Sequence, residues 1–237
     1  MLTSVIHKQS DLHNQIKELL KQEKKQIDNS DLIKEVSDFY IKDGDFVADV
    51  TWGKGVFWKK VDTTRFWFFP TDLLTMDVSH DFRALPYDNE VFNHVILDPP
   101  YMHSPGKTML SKNYQNTAAH GQKSTIKTRT IYHNEIIEDY EKGMQEAWRV
   151  LEPGGMLWVK CKDEIESGWQ RWSHIEIYAD ARKIGFVGKD LFILVPTAKV
   201  NSNHARQLHA RKTHSYLWLF IKPTDREAKQ VEKYKIR

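Results

Sequence analysis

Cysteine is almost missing from this chain. Cys161 stands alone among 237 residues, so no internal disulfide framework is possible and the small disulfide-stapled classes are excluded. No apolar run approaches the roughly 20 residues that a membrane-spanning helix needs. The opening ten residues also lack the apolar core of a signal peptide. These two absences lead us to expect a soluble, cytoplasmic protein without a membrane partner. Repeats and low-complexity linkers are missing too, and the 40% hydrophobic content suits one compact domain.

A more local absence is that of acid. Between 102 and 134 there is no Asp or Glu, only Lys107, Lys112, Lys123, Lys127 and Arg129 as charges; between 191 and 224 there is again none, against Lys199, Arg206, Arg211, Lys212 and Lys222. The overall charge is only +3, so setting these ten cations aside leaves the remainder at −7. Cations gathered in this way suit a phosphate backbone. A mobile polar surface loop is the plainer explanation of the first segment, although loops of that length in compact domains are usually functional or disordered. Within it, Tyr114, His120 and Tyr132 either stack on bases or pack the loop onto the domain.

What is present begins with Val95-Ile96-Leu97, an apolar run closing on Asp98-Pro99-Pro100-Tyr101. This puts a carboxylate where a buried strand ends, the position at which open α/β sheets bind ligands. The prolines stiffen the turn and Tyr101 offers a flat face. Upstream, the strand-like run 46–50 leads into Thr51-Trp52-Gly53-Lys54-Gly55. Here Gly53 and Gly55 permit a left-handed backbone and close approach to a ligand, and Asp49 stands at the strand's end. A second strand, 65–71, closes on Asp72, and Asp81 begins Asp-Phe-Arg-Ala-Leu-Pro-Tyr. Further along, a helix reaching Leu151, the turn Pro153-Gly154-Gly155 and the strand 156–160 read as scaffold.

These motifs and their order resemble the class I, S-adenosylmethionine-dependent amino-methyltransferases of the DPPY type, over roughly 31–223. The resemblance implies a Rossmann-like, mostly parallel seven-stranded sheet with helices on both faces, which the strand-helix alternation also predicts. The interval from Asp72 to Asp81 is only nine positions, too short for a full helix and strand, so the third strand is expected to be short or absent. As site residues the resemblance implies Asp98, Pro99, Pro100 and Tyr101 for catalysis. It implies Asp49, Thr51, Gly53, Gly55, Asp72 (ribose) and Asp81 (adenine amino group, with Asp77 as competitor) for the cofactor, whose product is S-adenosylhomocysteine. No metal is expected. The spacing of His204, His209 and His214 fits neither a zinc site nor one helix face.

The implied reaction is methylation of adenine N6 in DNA, with cytosine N4 or RNA as alternatives. Lys107, Lys112, Lys123, Lys127, Arg129, Arg206, Arg211 and Lys212 would contact nucleic acid at the pocket's mouth. Chemistry at cytosine carbon 5 is rejected: Cys161 lies on an expected strand without the preceding proline and reads as buried filler. The intact Asp98-Pro99-Pro100-Tyr101 and Gly53-Lys54-Gly55 argue against a rival in which the chain is a non-catalytic subunit that binds nucleic acid or a partner enzyme, while Trp52 and Lys54, bulky for a cofactor loop, keep it open. A methyltransferase for a small molecule or protein amide is a third reading, disfavoured by the basic segments.

The expected organisation is an N-terminal helical extension over 1–30, a catalytic domain over 31–223 with the 102–134 basic loop inserted, and a charged tail over 224–237. Ser10 would cap a helix over 11–27, and Ser30 one over 31–41. A later helix near 175–184 and strands over 191–195 and 216–221 complete the expected order.

Overall fold

The computed structural model describes residues 27–73, 79–101, 132–196, 209–210 and 212–234. The central sheet contains β1 (Phe46–Asp49), β2 (Trp67–Pro70), β3 (Phe92–Leu97), β4 (Leu151–Cys161), β7 (Val187–Leu194) and β8 (Ser215–Ile221). A separate antiparallel hairpin joins β5 (Glu164–Glu166) to β6 (Trp169–Arg171). The helices are α1 (Asn29–Tyr40), α2 (His133–Val150), α3 (Ser173–Ile184) and α4 (Asp225–Tyr234). None of the described helices is long and apolar enough to cross a membrane.

The strands lie in the order β2-β1-β3-β4-β8-β7. β1 pairs in parallel with β2 and β3, β3 does so with β4, and β8 runs antiparallel to both its neighbours. Among the described residues the central sheet therefore has six strands, not the seven expected. Between β2 and β3 the described residues form only isolated bridges, Asp72 to Ser79 and Asp81 to Ala84, and the nine positions from Asp72 to Asp81 leave no room for a full helix and strand.

Alternation along the inner strands decides which face each side chain covers. Val47, Ile96, Trp158, Leu217 and Leu219 pack toward α1 and Trp58. Ala48, Val95, Leu97, Leu157 and Val159 pack toward α2 and α3. Both faces are apolar because both are covered, as a parallel sheet requires. The one buried histidine on β3 is satisfied: the Trp158 indole donates to His94 Nδ1 at 3.2 Å, and Asp45 lies 3.1 Å from Nε2. Burial pushes the His94 imidazole down to about 4, so it sits neutral in the core.

Several boundaries differ from the sequence-based expectation. α1 is capped by Asp28, not Ser30; Asp28 accepts from the Ser30 and Asp31 amides while Asp31 reaches back to the Asp28 amide at 3.1 Å. Such a capping box satisfies end groups that a lone serine would leave open. α2 begins at His133, two residues inside the expected loop, with Glu135 accepting from the Tyr132 amide at 2.9 Å. β7 starts at Val187 instead of Leu191, because an edge strand tolerates polar residues such as Lys189 and Asp190. Residues 225–234 of the expected tail are helical. The expected helix over 11–27 falls almost wholly outside the described residues.

Candidate functional site

Three neighbouring parallel strands, β2, β1 and β3, run into Asp72, Asp49 and Asp98 at one edge of the sheet. Backbone hydrogen bonds tie the three strand ends together: Thr71 donates to Asp49 O at 2.7 Å and Val50 donates to Ile96 O at 3.1 Å. The acids are therefore brought side by side by strand pairing.

Asp49 is buried beneath the glycine loop. It accepts from the Thr51 amide at 3.0 Å and from the Trp58 indole at 2.6 Å. Burial pushes its carboxyl up to about 6, although both of these hydrogen bonds oppose the shift. Thr51 serves as a bridge, since its hydroxyl oxygen also accepts from the Asp98 amide at 2.7 Å. The loop itself turns through Gly53 and Gly55, both left-handed at φ 56° and 65°. Gly53 donates its N–H to Asp72 at 2.9 Å, and on its Cβ side the nearest atom is the Thr51 carbonyl oxygen at 3.9 Å. At Gly55 that space is filled by the Trp52 indole, so this glycine accommodates a side chain of its own loop.

Asp98 differs from both. Its Oδ1 is shut away from solvent and has no hydrogen-bond partner among the described residues. Burial pushes the carboxyl up to about 7, opposed by the Lys160 ammonium and reinforced by Asp49. Pro99 is buried, and Tyr101 packs against the core on the α2 side.

Lys160 is the residue that sequence reading missed. The scaffold strand absorbed it, yet β3 and β4 pair Leu97 with Val159, which places Lys160 beside Asp98 at the same edge. The side chain is buried, and its Nζ donates to Ser215 Oγ at 2.6 Å. Burial lowers the basicity of the ammonium, while Asp98 acts to hold it charged. A lysine closing the apolar run Leu157-Trp158-Val159 was the available signal. Tyr140 of α2 adds a second polar group, donating to the Lys160 carbonyl at 2.7 Å. The neighbouring Cys161 is buried, and burial pushes its thiol up, consistent with filler.

Other expected site residues lie elsewhere or have other partners. The Asp81 carboxylate is gripped by Arg83, with Nε at 2.9 Å and Nη2 at 2.7 Å, and Arg83 continues to Asp139 of α2 at 2.9 Å. This pins the Leu-Pro stretch to the helix, assisted by Arg149 donating to Leu85 O at 2.9 Å and Tyr87 O at 2.7 Å. Lys212 lies with its Nζ 5.8 Å from the Trp172 ring centroid. Lys222, counted in the second basic segment, does not flank this edge: β8 carries it to the opposite end of the sheet, where it is buried and donates to Leu151 O at 2.7 Å. His214 bonds the Tyr216 hydroxyl at 2.8 Å. Asp77, Lys107, Lys112, Lys123, Lys127, Arg129, His204, Arg206 and Arg211 lie outside the described residues.

Known structures share the architecture. A [4+2]-cyclase, SpnF, is 13% identical and superposes with a TM-score of 0.51 over 82% of this chain and 81% of its own. A protein from Galdieria sulphuraria, described as a sarcosine dimethylglycine methyltransferase, is 12% identical with a TM-score of 0.50, covering 82% of this chain and 85% of its own. A protein from Thermus thermophilus, described as a DNA modification methylase and solved with S-adenosyl-L-methionine, is 19% identical with a TM-score of 0.41. That match covers 61% of this chain and 54% of the other, so the chain spans about half that protein's length. No curated protein matches. A family model described as DNA methylase, of the N6/N4 type, matches residues 92–237, from the first residue of β3 through Asp98 and Lys160 to the end. The chain belongs to this N6/N4 DNA methylase family.

Proposed function

We propose that the protein transfers a methyl group from S-adenosylmethionine to the exocyclic N6 of adenine in DNA. The observation that carries this reading is the buried, unpartnered Oδ1 of Asp98, an acceptor held ready at a strand end inside an Asp-Pro-Pro-Tyr turn.

The residues upstream suit the cofactor. Carboxylates at Asp49, Asp72 and Asp98 gather negative charge at one edge, which favours a ligand carrying a sulfonium and an ammonium group. At Gly53 the absent side chain and the nearest neighbour at 3.9 Å let a ligand approach the backbone closely. Asp49, Thr51 and Gly53 would hold the amino-acid end and Asp72 the ribose hydroxyls. When bound, S-adenosylmethionine supplies a methyl activated by the positive sulfur.

An exocyclic amine is a weak nucleophile because its lone pair is delocalised into the ring. Asp98 Oδ1 and the Pro99 carbonyl each accept one N–H, which turns the lone pair out of the ring, and Tyr101 stacks on the base. Rate enhancement then comes from positioning and electrostatics. In a duplex the adenine must leave the stack to reach Asp98. Asp98 supports adenine over cytosine because the cytosine-N4 enzymes of this family more often carry serine there. The motif order, glycine loop before Asp-Pro-Pro-Tyr, supports DNA over RNA.

The test is transfer of labelled methyl to unmethylated duplex DNA, single-stranded DNA and RNA in parallel, with digestion to nucleosides. We expect N6-methyladenine from DNA, falling roughly a thousandfold in Asp98→Ala with cofactor binding retained. N4-methylcytosine as the product would move the reading to cytosine. No transfer and no cofactor binding would leave a nucleic-acid-binding subunit.

A further inference from the structure

The β5–β6 hairpin stands directly beyond the end of β4, at the edge that carries Asp98. Its turn, Ser167-Gly168, is left-handed at both residues, with φ 51° and 83°, which makes a tight, stiff reversal. The hairpin is braced from within. Glu166 accepts from the His133 amide at 2.7 Å and from Arg171 Nη2 at 2.6 Å. Glu164 lies 3.2 Å from His133 Nδ1, and Asp163 lies 2.7 Å from His174 Nδ1. Asp163, Glu164 and Glu166 are all buried, so the acids of this segment face inward.

The outward side is of the opposite character. Trp169 at the turn is 74% exposed and Trp172 at the start of α3 is 51% exposed. The Lys212 ammonium lies 5.8 Å from the Trp172 ring centroid, and Lys212 belongs to the acid-free stretch 191–224. Indoles exposed on a braced turn contribute little to folding. Flat aromatic faces bordered by cations suit nucleic-acid bases and the phosphates beside them.

We propose that this face docks duplex DNA. Trp169 enters the stack at the step opened when the target base leaves, and Trp172, backed by Lys212, lies against the adjoining strand. The inference rests on the DNA reading above and adds to it the element that grips the opened duplex.

Fluorescence anisotropy at low salt tests it, using the full chain and two mixed-sequence duplexes, one intact and one with a single abasic site. The variants are Trp169→Ala, Trp169→Phe and Trp172→Ala, with S-adenosylmethionine binding followed by calorimetry as a check on folding. Trp169→Ala is expected to weaken binding to the abasic duplex roughly five- to a hundredfold. Trp169→Phe should keep most of the affinity, and all variants should bind cofactor as the wild type does. Alanine variants that bind both duplexes like the wild type overturn this docking face alone. So does a Trp169→Ala variant that dissociates an oligomer without changing DNA affinity, since a second copy then covers the face. A wild type that binds cofactor but no DNA overturns the DNA reading as well.

Discussion

Two groups of buried acids lie at the same edge of this sheet, and they are treated in opposite ways. At the β5–β6 hairpin, Asp163, Glu164 and Glu166 face His174, His133 and Arg171 at hydrogen-bonding distance. At the ends of β1 and β3, Asp49 is held by neutral donors and Asp98 Oδ1 by none, so burial drives their carboxyls up to about 6 and about 7. Burying a carboxylate that is not directly paired is costly, and at this edge the Lys160 ammonium beside Asp98 offsets only part of the shift, whereas the three hairpin acids are paired outright. The difference separates acids that hold the architecture from acids kept available for a ligand.

That contrast can be broken most severely at Glu166. Replacing it with alanine strips the buried His133 amide and Arg171 of their partner, and should lower unfolding free energy by about 2 kcal/mol in urea titration, leaving cofactor affinity intact. A variant as stable as the wild type but dead in methyl transfer would put Glu166 among the functional acids instead.

Lys160→Met sharpens the other side. The ionised form of Asp98 accepts the amine, so activity should rise with pH through about 7. Removing the ammonium that opposes the upward shift should move this acid limb to higher pH, with activity at neutral pH reduced and recovered in alkaline buffer. An acid limb that stays in place would show that Lys160 only fills space beside Ser215. The smallest effect is expected from Thr51→Val, which removes the hydroxyl that donates to Asp49 at 3.5 Å and accepts from the Asp98 amide at 2.7 Å. A loss of about tenfold in kcat at saturating cofactor is the expected signature of a displaced Asp98, corresponding to one hydrogen bond of about 1.4 kcal/mol.

The legible parts of the site were the local ones. Asp98-Pro99-Pro100-Tyr101 and Thr51-Trp52-Gly53-Lys54-Gly55 each concentrate their chemistry in a few consecutive residues next to an apolar strand, and both appear at strand ends. The mostly parallel sheet followed from alternation, and the short span from Asp72 to Asp81 signalled a short or absent third strand, where the described residues form isolated bridges. What escaped was set by pairing across the chain. Lys160 reaches Asp98 only through the register of β3 on β4, and Asp81 is engaged by an arginine two residues away that also reaches α2. The roles of Ser30 and Lys222 were misread for a similar reason: a neighbouring aspartate caps the helix better, and an antiparallel last strand carries Lys222 to the far end.

One consequence concerns how this protein can change over evolutionary time. Tyr101 packs against the core beside Asp98, and His133, near the start of the next described stretch, is clasped by Glu164, Glu166 and Glu176. Both attachment points are secured by groups outside the intervening sequence. Lengthening such a connection costs only about 0.6 kcal/mol per doubling. Changes in the length of the sequence between Tyr101 and Tyr132 are therefore expected to cost the fold little, because both anchors rest on residues outside it.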